Sequence, residues 1–136
     1  MLSFASICFF WEAKLNPILS AKAMDNQDLI NRAYNAFNTR DIDGVLELMH
    51  SDVQWPNGWE GGYVHGHDEV RTYWTRQWQE IDPEVTPVSV RSMPTGQIEV
   101  IVHQLIHDKK GNIVTDGLIK HVYTFDAGKI KRMDIQ

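Results

Sequence analysis

The spacing of hydrophobic residues changes once along the chain, from helical steps to the alternation of strands. From Asn26 to Asn38 the apolar residues recur every three or four positions, which predicts an amphipathic helix. Asp41 is a good N-cap for a second, shorter helix. A third helix is predicted to begin at Gly66, with acidic residues in its first turn, and to end at Ile81–Pro83. The first part of the chain is therefore predicted to be helical.

After Pro83 the apolar residues are mostly β-branched, which favours strands. The predicted long strands are Val85–Arg91, Ile98–His107, Ile113–Phe125 and Ile130–Ile135. Two short strands, Asp52–Trp55 and Tyr63–His65, flank a glycine-rich turn and predict a hairpin. Helices followed by strands predict an α+β fold, with a strongly bent antiparallel sheet of four to six strands.

Residues 1–23 differ from the rest of the chain. The apolar run Leu2–Trp11 is too short to span a membrane. Ala21–Ala23 resembles a signal-peptidase site, but no basic residue precedes the apolar run. An N-terminal extension, a signal peptide and a membrane-surface anchor remain as alternatives. We expect an extension over 1–23 and a single domain over 24–136.

Composition narrows the classes of partner. A net charge of −5, with no large cluster of basic residues, argues against nucleic acid as the main partner. The single cysteine cannot form an internal disulfide, and we expect a cytoplasmic protein, with secretion through residues 1–23 as the alternative. His65 and His67, or His103 and His107, could each offer two metal ligands, but no third ligand lies nearby in the sequence. We therefore expect neither a metal nor a cofactor.

Four of the five tryptophans lie between Trp55 and Trp78. Trp74 and Trp78 are one helical turn apart, which is typical of buried core. Trp55 and Trp59 instead flank an irregular turn containing Asn57, whose amide can both donate and accept hydrogen bonds. This turn is predicted to contact a flat apolar ligand.

Three segments resemble the nuclear transport factor 2-like superfamily, in its SnoaL-like and ketosteroid isomerase-like branch. They are "AYNAFNTRDIDGVLELMHSDVQW" (Ala33–Trp55), "VHGHDEVRTYW" (Val64–Trp74) and "HVYTFDAGKIKRMDI" (His121–Ile135). The resemblance implies a cone: a curled sheet wrapped by three helices around an internal pocket. It also implies a homodimer formed through the exposed face of the sheet. Such a fold serves isomerases, cyclases, dehydratases and binding proteins alike.

The residues of a standard ketosteroid isomerase are not all present. The resemblance puts the general base of that enzyme at Asn57, its buried acid at His121 and its tyrosine at Ala33, next to Tyr34. Asn57 cannot accept the proton, so steroid isomerase activity is not expected. SnoaL-type acid–base chemistry by pocket histidines is the alternative that the resemblance offers.

Strand alternation selects two histidines for that role. His121 shares a strand face with Ile119 and Tyr123, and apolar neighbours favour an inward direction. His103 shares a face with Ile101 and Leu105, which predicts the same direction. A lone strand histidine is also often structural.

The predicted catalytic residues are His121, His103 and Tyr34, and the predicted ligand-binding residues are Trp55, Asn57, Trp59, Tyr123, His65 and Trp74. We expect a small apolar organic ligand. Two classes of function remain open: an acid–base enzyme of the isomerase, cyclase or dehydratase type, and a non-catalytic carrier, sensor or protein-interaction module.

Overall fold

The computed structural model describes residues 26–136, so the predicted extension over 1–23 lies outside the described residues. Helix α1 covers 26–38, α2 covers Ile42–Leu46 and α3 covers Gly66–Glu80. Asp41 caps α2 as predicted, since its carboxylate accepts a hydrogen bond from the Gly44 amide at 3.0 Å. The three predicted helices are confirmed, except that the chain is already a strand at Ile81, before Pro83.

The six strands are β1 (Met49–Pro56), β2 (Tyr63–His65), β3 (Ile81–Ser92), β4 (Ile98–Asp108), β5 (Ile113–Asp126) and β6 (Lys129–Ile135). They form one curved, open sheet in the order β2-β1-β6-β5-β4-β3. The prediction of a purely antiparallel sheet was wrong in one respect, because β1 pairs with β6 in parallel. Every other neighbouring pair is antiparallel, so the sheet is mixed.

The register of β4 and β5 decides which side chains face the helices. Val100 lies opposite His121, and Val102 lies opposite Ile119. These pairs face the helices, whereas the pair that follows, His103 and Leu118, lies on the outer face of the sheet.

The core fills the space between the three helices and the inner face of the sheet. Its largest fully buried side chains are Trp74 from α3 and Tyr123 from β5. Within residues 26–136, no helix is long and apolar enough to cross a membrane.

Candidate functional site

An internal cavity of about 140 Å³ lies between the helices and the inner face of the sheet. Its wall is mainly aromatic and aliphatic and includes Phe37, Val45, Trp55, Trp74, Val85 and Met133. Gly58 and Ile135 are the solvent-exposed members of the wall, so the cavity opens beside them. The cavity is thus an apolar pocket inside the cone, with access from one side.

Three polar side chains form a hydrogen-bonded chain on this wall. The hydroxyl of Tyr123 lies 2.8 Å from that of Tyr34, and the Tyr34 hydroxyl lies 2.8 Å from Nδ1 of His121. The rings of Tyr34 and His121 are nearly parallel, with centroids 6.0 Å apart. All three residues are buried and line the cavity. We call these three residues the Tyr–Tyr–His chain.

Local structure explains how the Tyr–Tyr–His chain is assembled. His121 and Tyr123 are two positions apart on β5, so their side chains leave the same face. Helix α1 lies across that face and directs Tyr34 toward both of them. Strand β6 backs the site, with Ile135 opposite His121 and Met133 opposite Tyr123.

Burial sets the charge of these groups. It lowers the pKa of His121 from its ordinary value of 6.5 to about 4. Burial also raises the pKa of Tyr34, helped by the neighbouring Tyr123, and burial raises the pKa of Tyr123. At neutral pH the Tyr–Tyr–His chain is therefore uncharged, and it forms its hydrogen bonds without burying an ion.

Two tryptophans contribute to the wall of the cavity. Trp55 packs edge-on against Trp74, with ring centroids 5.3 Å apart, and also contacts Tyr123. Trp78 stacks on the far side of Trp74 and does not line the cavity. Trp55 therefore contributes directly to the pocket, and Trp78 supports it from behind.

The turn between β1 and β2 lies at the mouth. Oδ1 of Asn57 accepts hydrogen bonds from the amides of Trp59 and Glu60, at 3.1 and 3.0 Å. The Gly58 amide donates to the hydroxyl of Tyr73 at 3.0 Å, which ties the turn to α3. Trp59 is 40% exposed and packs edge-on against Tyr73, outside the cavity. Asn57 thus shapes the turn, and neither it nor Trp59 is part of the wall.

The structure brings together five of the nine residues singled out from the sequence: Tyr34, Trp55, Trp74, His121 and Tyr123 all line the cavity. Asn57, Trp59, His65 and His103 do not. The amide of His65 donates to Oε1 of Glu69 at the start of α3, and its side chain is exposed.

The predicted inward direction of His103 was wrong. Nε2 of His103 lies 2.6 Å from Oδ1 of Asp116 on the outer face of the sheet, and the His103 side chain is 41% exposed. The apolar neighbours Ile101 and Leu105, which suggested an inward face, lie on that outer face as well.

Tyr73, Gln77 and Gln104 also line the cavity, although the sequence did not single them out. Gln104 has the same parity on β4 as the buried Val100 and Val102. That shared parity is the feature of the sequence from which the inward direction of Gln104 can be predicted. In the described part of the chain, no group of three or more His, Cys, Asp or Glu side chains could hold a metal ion.

Comparison with known proteins agrees with this geometry. The family model described as a SnoaL-like domain matches residues 30–133. No protein with a curated function matches the chain significantly.

Solved structures share the fold over most of the chain. A nuclear transport factor 2-like protein of unknown function from Burkholderia pseudomallei is 25% identical, with a TM-score of 0.73, covering 82% of this chain and 89% of that one. TerC, co-crystallised with polyporic acid, is 24% identical with a TM-score of 0.73, covering 82% and 90%. A Mycobacterium tuberculosis protein in complex with estradiol-17beta-hemisuccinate is 19% identical with a TM-score of 0.70, covering 80% and 90%.

Proposed function

The chain belongs to the family of SnoaL-like domains, and from this premise we propose that it binds a small, mostly apolar organic molecule and acts on it by acid–base chemistry. One observation carries the proposal: the Tyr–Tyr–His chain lies on the wall of an apolar cavity that opens to solvent. A buried polar network on an apolar wall is the usual composition of a small-molecule site. His121 is the proposed catalytic residue.

The chemistry follows from the two nitrogens of a neutral imidazole. Nδ1 is hydrogen-bonded to Tyr34, so the other nitrogen, Nε2, is left to transfer a proton to a reacting group and to take one back from it. The hydroxyl of Tyr123 is hydrogen-bonded in turn to that of Tyr34 and holds it in position. Such proton transfer suits reactions of the isomerase, cyclase or dehydratase type, in which protons move and no electron carrier is required.

Two neighbours in structure support the choice of ligand class. TerC was crystallised with polyporic acid and the Mycobacterium tuberculosis protein with an estradiol hemisuccinate. Both ligands are organic molecules held by proteins of this fold.

Binding without turnover is the second candidate, and a specific observation favours it. Among residues 26–136 no carboxylate lines the cavity, so this part of the chain places no anionic base beside the ligand. A carrier or sensor would use the same pocket and would return its ligand unchanged.

We further propose that the chain forms a homodimer through the outer face of the sheet. Leu118 on β5 and Val88 at the bulge of β3 are 65% and 60% exposed. Exposed apolar side chains on a sheet face mark a surface that a second molecule can cover.

Native mass spectrometry of the freshly purified full chain is the first experiment. A bound molecule of a few hundred daltons, released on denaturation, would identify the ligand. Turnover of that molecule, followed across pH, should be lost in His121→Ala and kept in His103→Ala, since His103 lies on the other face. If both variants bind the ligand and return it unchanged, the protein is a carrier and not an enzyme. Equal turnover in His121→Ala and the parent would overturn the catalytic role.

A further inference from the structure

The Tyr–Tyr–His chain has a preferred direction. In one arrangement Tyr123 donates to Tyr34, and Tyr34 donates to Nδ1 of His121. In the opposite arrangement Nδ1 would donate to Tyr34 and Tyr34 to Tyr123. The Tyr123 proton would then have no acceptor among residues 26–136, although the side chain is only 1% exposed. An unpaired buried donor is unfavourable, so the first arrangement is preferred.

This direction fixes the tautomer of His121. Because Nδ1 accepts, the single proton of the neutral ring is on Nε2. Nε2 has no hydrogen-bond partner in the described part of the chain. It is also not among the fully buried unpaired atoms there, since Nε1 of Trp78 is the only one. His121 lines the cavity. The group offered to a ligand is therefore an N–H donor.

The wall restricts the charge of a ligand. Besides the Tyr–Tyr–His chain, the uncharged polar groups of its lining residues are those of Tyr73, Gln77 and Gln104 and the indole N–H groups of Trp55 and Trp74. No Asp, Glu, Lys or Arg from the described residues 26–136 lines the cavity. A charged ligand would lose its hydration without gaining a counter-charge, which strongly disfavours it.

The volume restricts its size. A cavity of about 140 Å³ is close to the engineered apolar cavity of about 150 Å³ in another protein that binds benzene. It is well below the roughly 300 Å³ at which pockets for drug-sized ligands begin. The cavity thus accommodates one ring with a short substituent.

We propose that the ligand is an uncharged, one-ring molecule bearing a carbonyl-type oxygen that accepts a hydrogen bond from Nε2–H of His121. This inference rests on the proposed function, which assigns the cavity as the binding site. It adds the size, the charge and the one polar group of the ligand. In this arrangement His121 polarises the carbonyl group, while Tyr34 holds the tautomer as a positioning residue.

Four probes test the inference on the full chain, by calorimetric titration at neutral pH. Acetophenone carries the predicted oxygen, and α-methylstyrene has nearly the same shape with a carbon in its place. Benzoate adds a charge, and 2-acetonaphthone adds a second fused ring. Acetophenone should bind about three- to tenfold more tightly than α-methylstyrene, the range expected for one net hydrogen bond. Benzoate and 2-acetonaphthone should bind more weakly than acetophenone.

Two variants connect the preference to the Tyr–Tyr–His chain. His121→Phe keeps an aromatic ring and removes the donor, so acetophenone should lose its advantage over α-methylstyrene. Tyr34→Phe keeps His121 but no longer fixes its tautomer. NMR spectra of protein labelled with ¹⁵N-histidine report the tautomer of His121. The parent should show the Nε2–H tautomer, and Tyr34→Phe should show a mixture of both tautomers.

The possible failures are distinguishable. Equal affinity for acetophenone and α-methylstyrene, or an Nδ1–H tautomer in the parent, would overturn the inference and leave the cavity as a binding site. If benzoate binds more tightly than acetophenone, the prediction that the ligand is uncharged is overturned. If 2-acetonaphthone binds more tightly than acetophenone, the one-ring limit on size is overturned. No binding of any of the four probes would overturn the proposed function together with the inference.

Discussion

The hydroxyl of Tyr34 lies 2.8 Å from Nδ1 of His121, although the two residues are 87 positions apart in the chain. This contact joins the first described helix to the longest strand, inside the core and at the wall of the cavity. The same hydrogen bond therefore serves the stability of the cone and the polarity of the site. Its two roles can be measured separately.

Tyr34→Phe should destabilise the fold by about 1–3 kcal/mol, because it leaves buried groups on Tyr123 and His121 without a partner. Urea unfolding monitored by tryptophan fluorescence measures this. Tyr73→Phe is the matched control: its hydroxyl also accepts a hydrogen bond, but from the exposed Gly58, and the loss should be smaller. Equal losses in the two variants would contradict the buried network.

Stability should fall on acidification between pH 6.5 and pH 4 because of His121. The folded-state pKa is lowered from 6.5 to about 4, so in this window the unfolded chain binds a proton that the folded chain does not. Stability is then complete above pH 6.5 and decreases toward pH 4, by about 3 kcal/mol in total. Unfolding free energies of the parent and His121→Phe, compared at both pH values, isolate this contribution. An identical pH dependence in the two proteins would exclude it.

Filling the cavity should abolish binding without unfolding the protein. Ala33 on α1 lines the cavity, so Ala33→Leu places three additional carbon atoms in that space. Ala36→Leu is the control, since Ala36 lies on the same helix and is buried away from the cavity. Acetophenone should raise the melting temperature of the parent and of Ala36→Leu, but not that of Ala33→Leu. Protection of Ala33→Leu would place the ligand elsewhere.

Asn57→Ala should weaken the turn and leave ligand affinity unchanged. Two backbone amides lose their acceptor, which costs about 1 kcal/mol at an exposed position. Trp55→Ala, on the cavity wall, should by contrast reduce affinity for acetophenone. A tenfold or greater affinity loss in Asn57→Ala would restore the direct ligand contact that the sequence suggested.

Leu118→Asp should convert the proposed dimer to a monomer. A charge at the centre of a covered apolar face loses its hydration without a partner. Light scattering coupled to size exclusion gives the mass. Ile113→Asp is the control: Ile113 is 62% exposed but lies at the hairpin end of β5, and its variant should remain dimeric. A monomeric parent would refute the dimer outright.

The side chain of His121 points inward as predicted, whereas that of His103 does not, and both results have one physical explanation. Around His121, apolar side chains dominate one face of β5, so alternation identifies the inner side. Strand β4 carries apolar residues on both faces, Val100 and Val102 inside and Ile101 and Leu105 outside. Alternation then cannot distinguish the faces. Only the pairing with β5 decides, and pairing is not a local property of the sequence.

The same reason explains the parallel pairing of β1 with β6. Local pattern identified both strands and the hairpin that joins β1 to β2. Nothing within either segment indicates that Gln54 lies beside Arg132, far along the chain. The cavity wall combines residues from all three helices and from five of the six strands, so its membership follows from the completed sheet. The Tyr–Tyr–His chain was accessible from the sequence only as separate candidates.

The parallel pairing of β1 and β6 also sets an order of events during synthesis. The amide of Ile130 donates to the carbonyl of Leu48, so β1 can pair with its inner neighbour only after β6, about 80 residues further along the chain, has left the ribosome. Until then β1 has only the three-residue β2 beside it, too little for an independent sheet. The nascent chain must therefore hold its helices without a complete partner surface. A chain that ends just before Lys129 would lack β6, the strand that joins β1 to β5. Without it the sheet would be incomplete, and the pocket would not form.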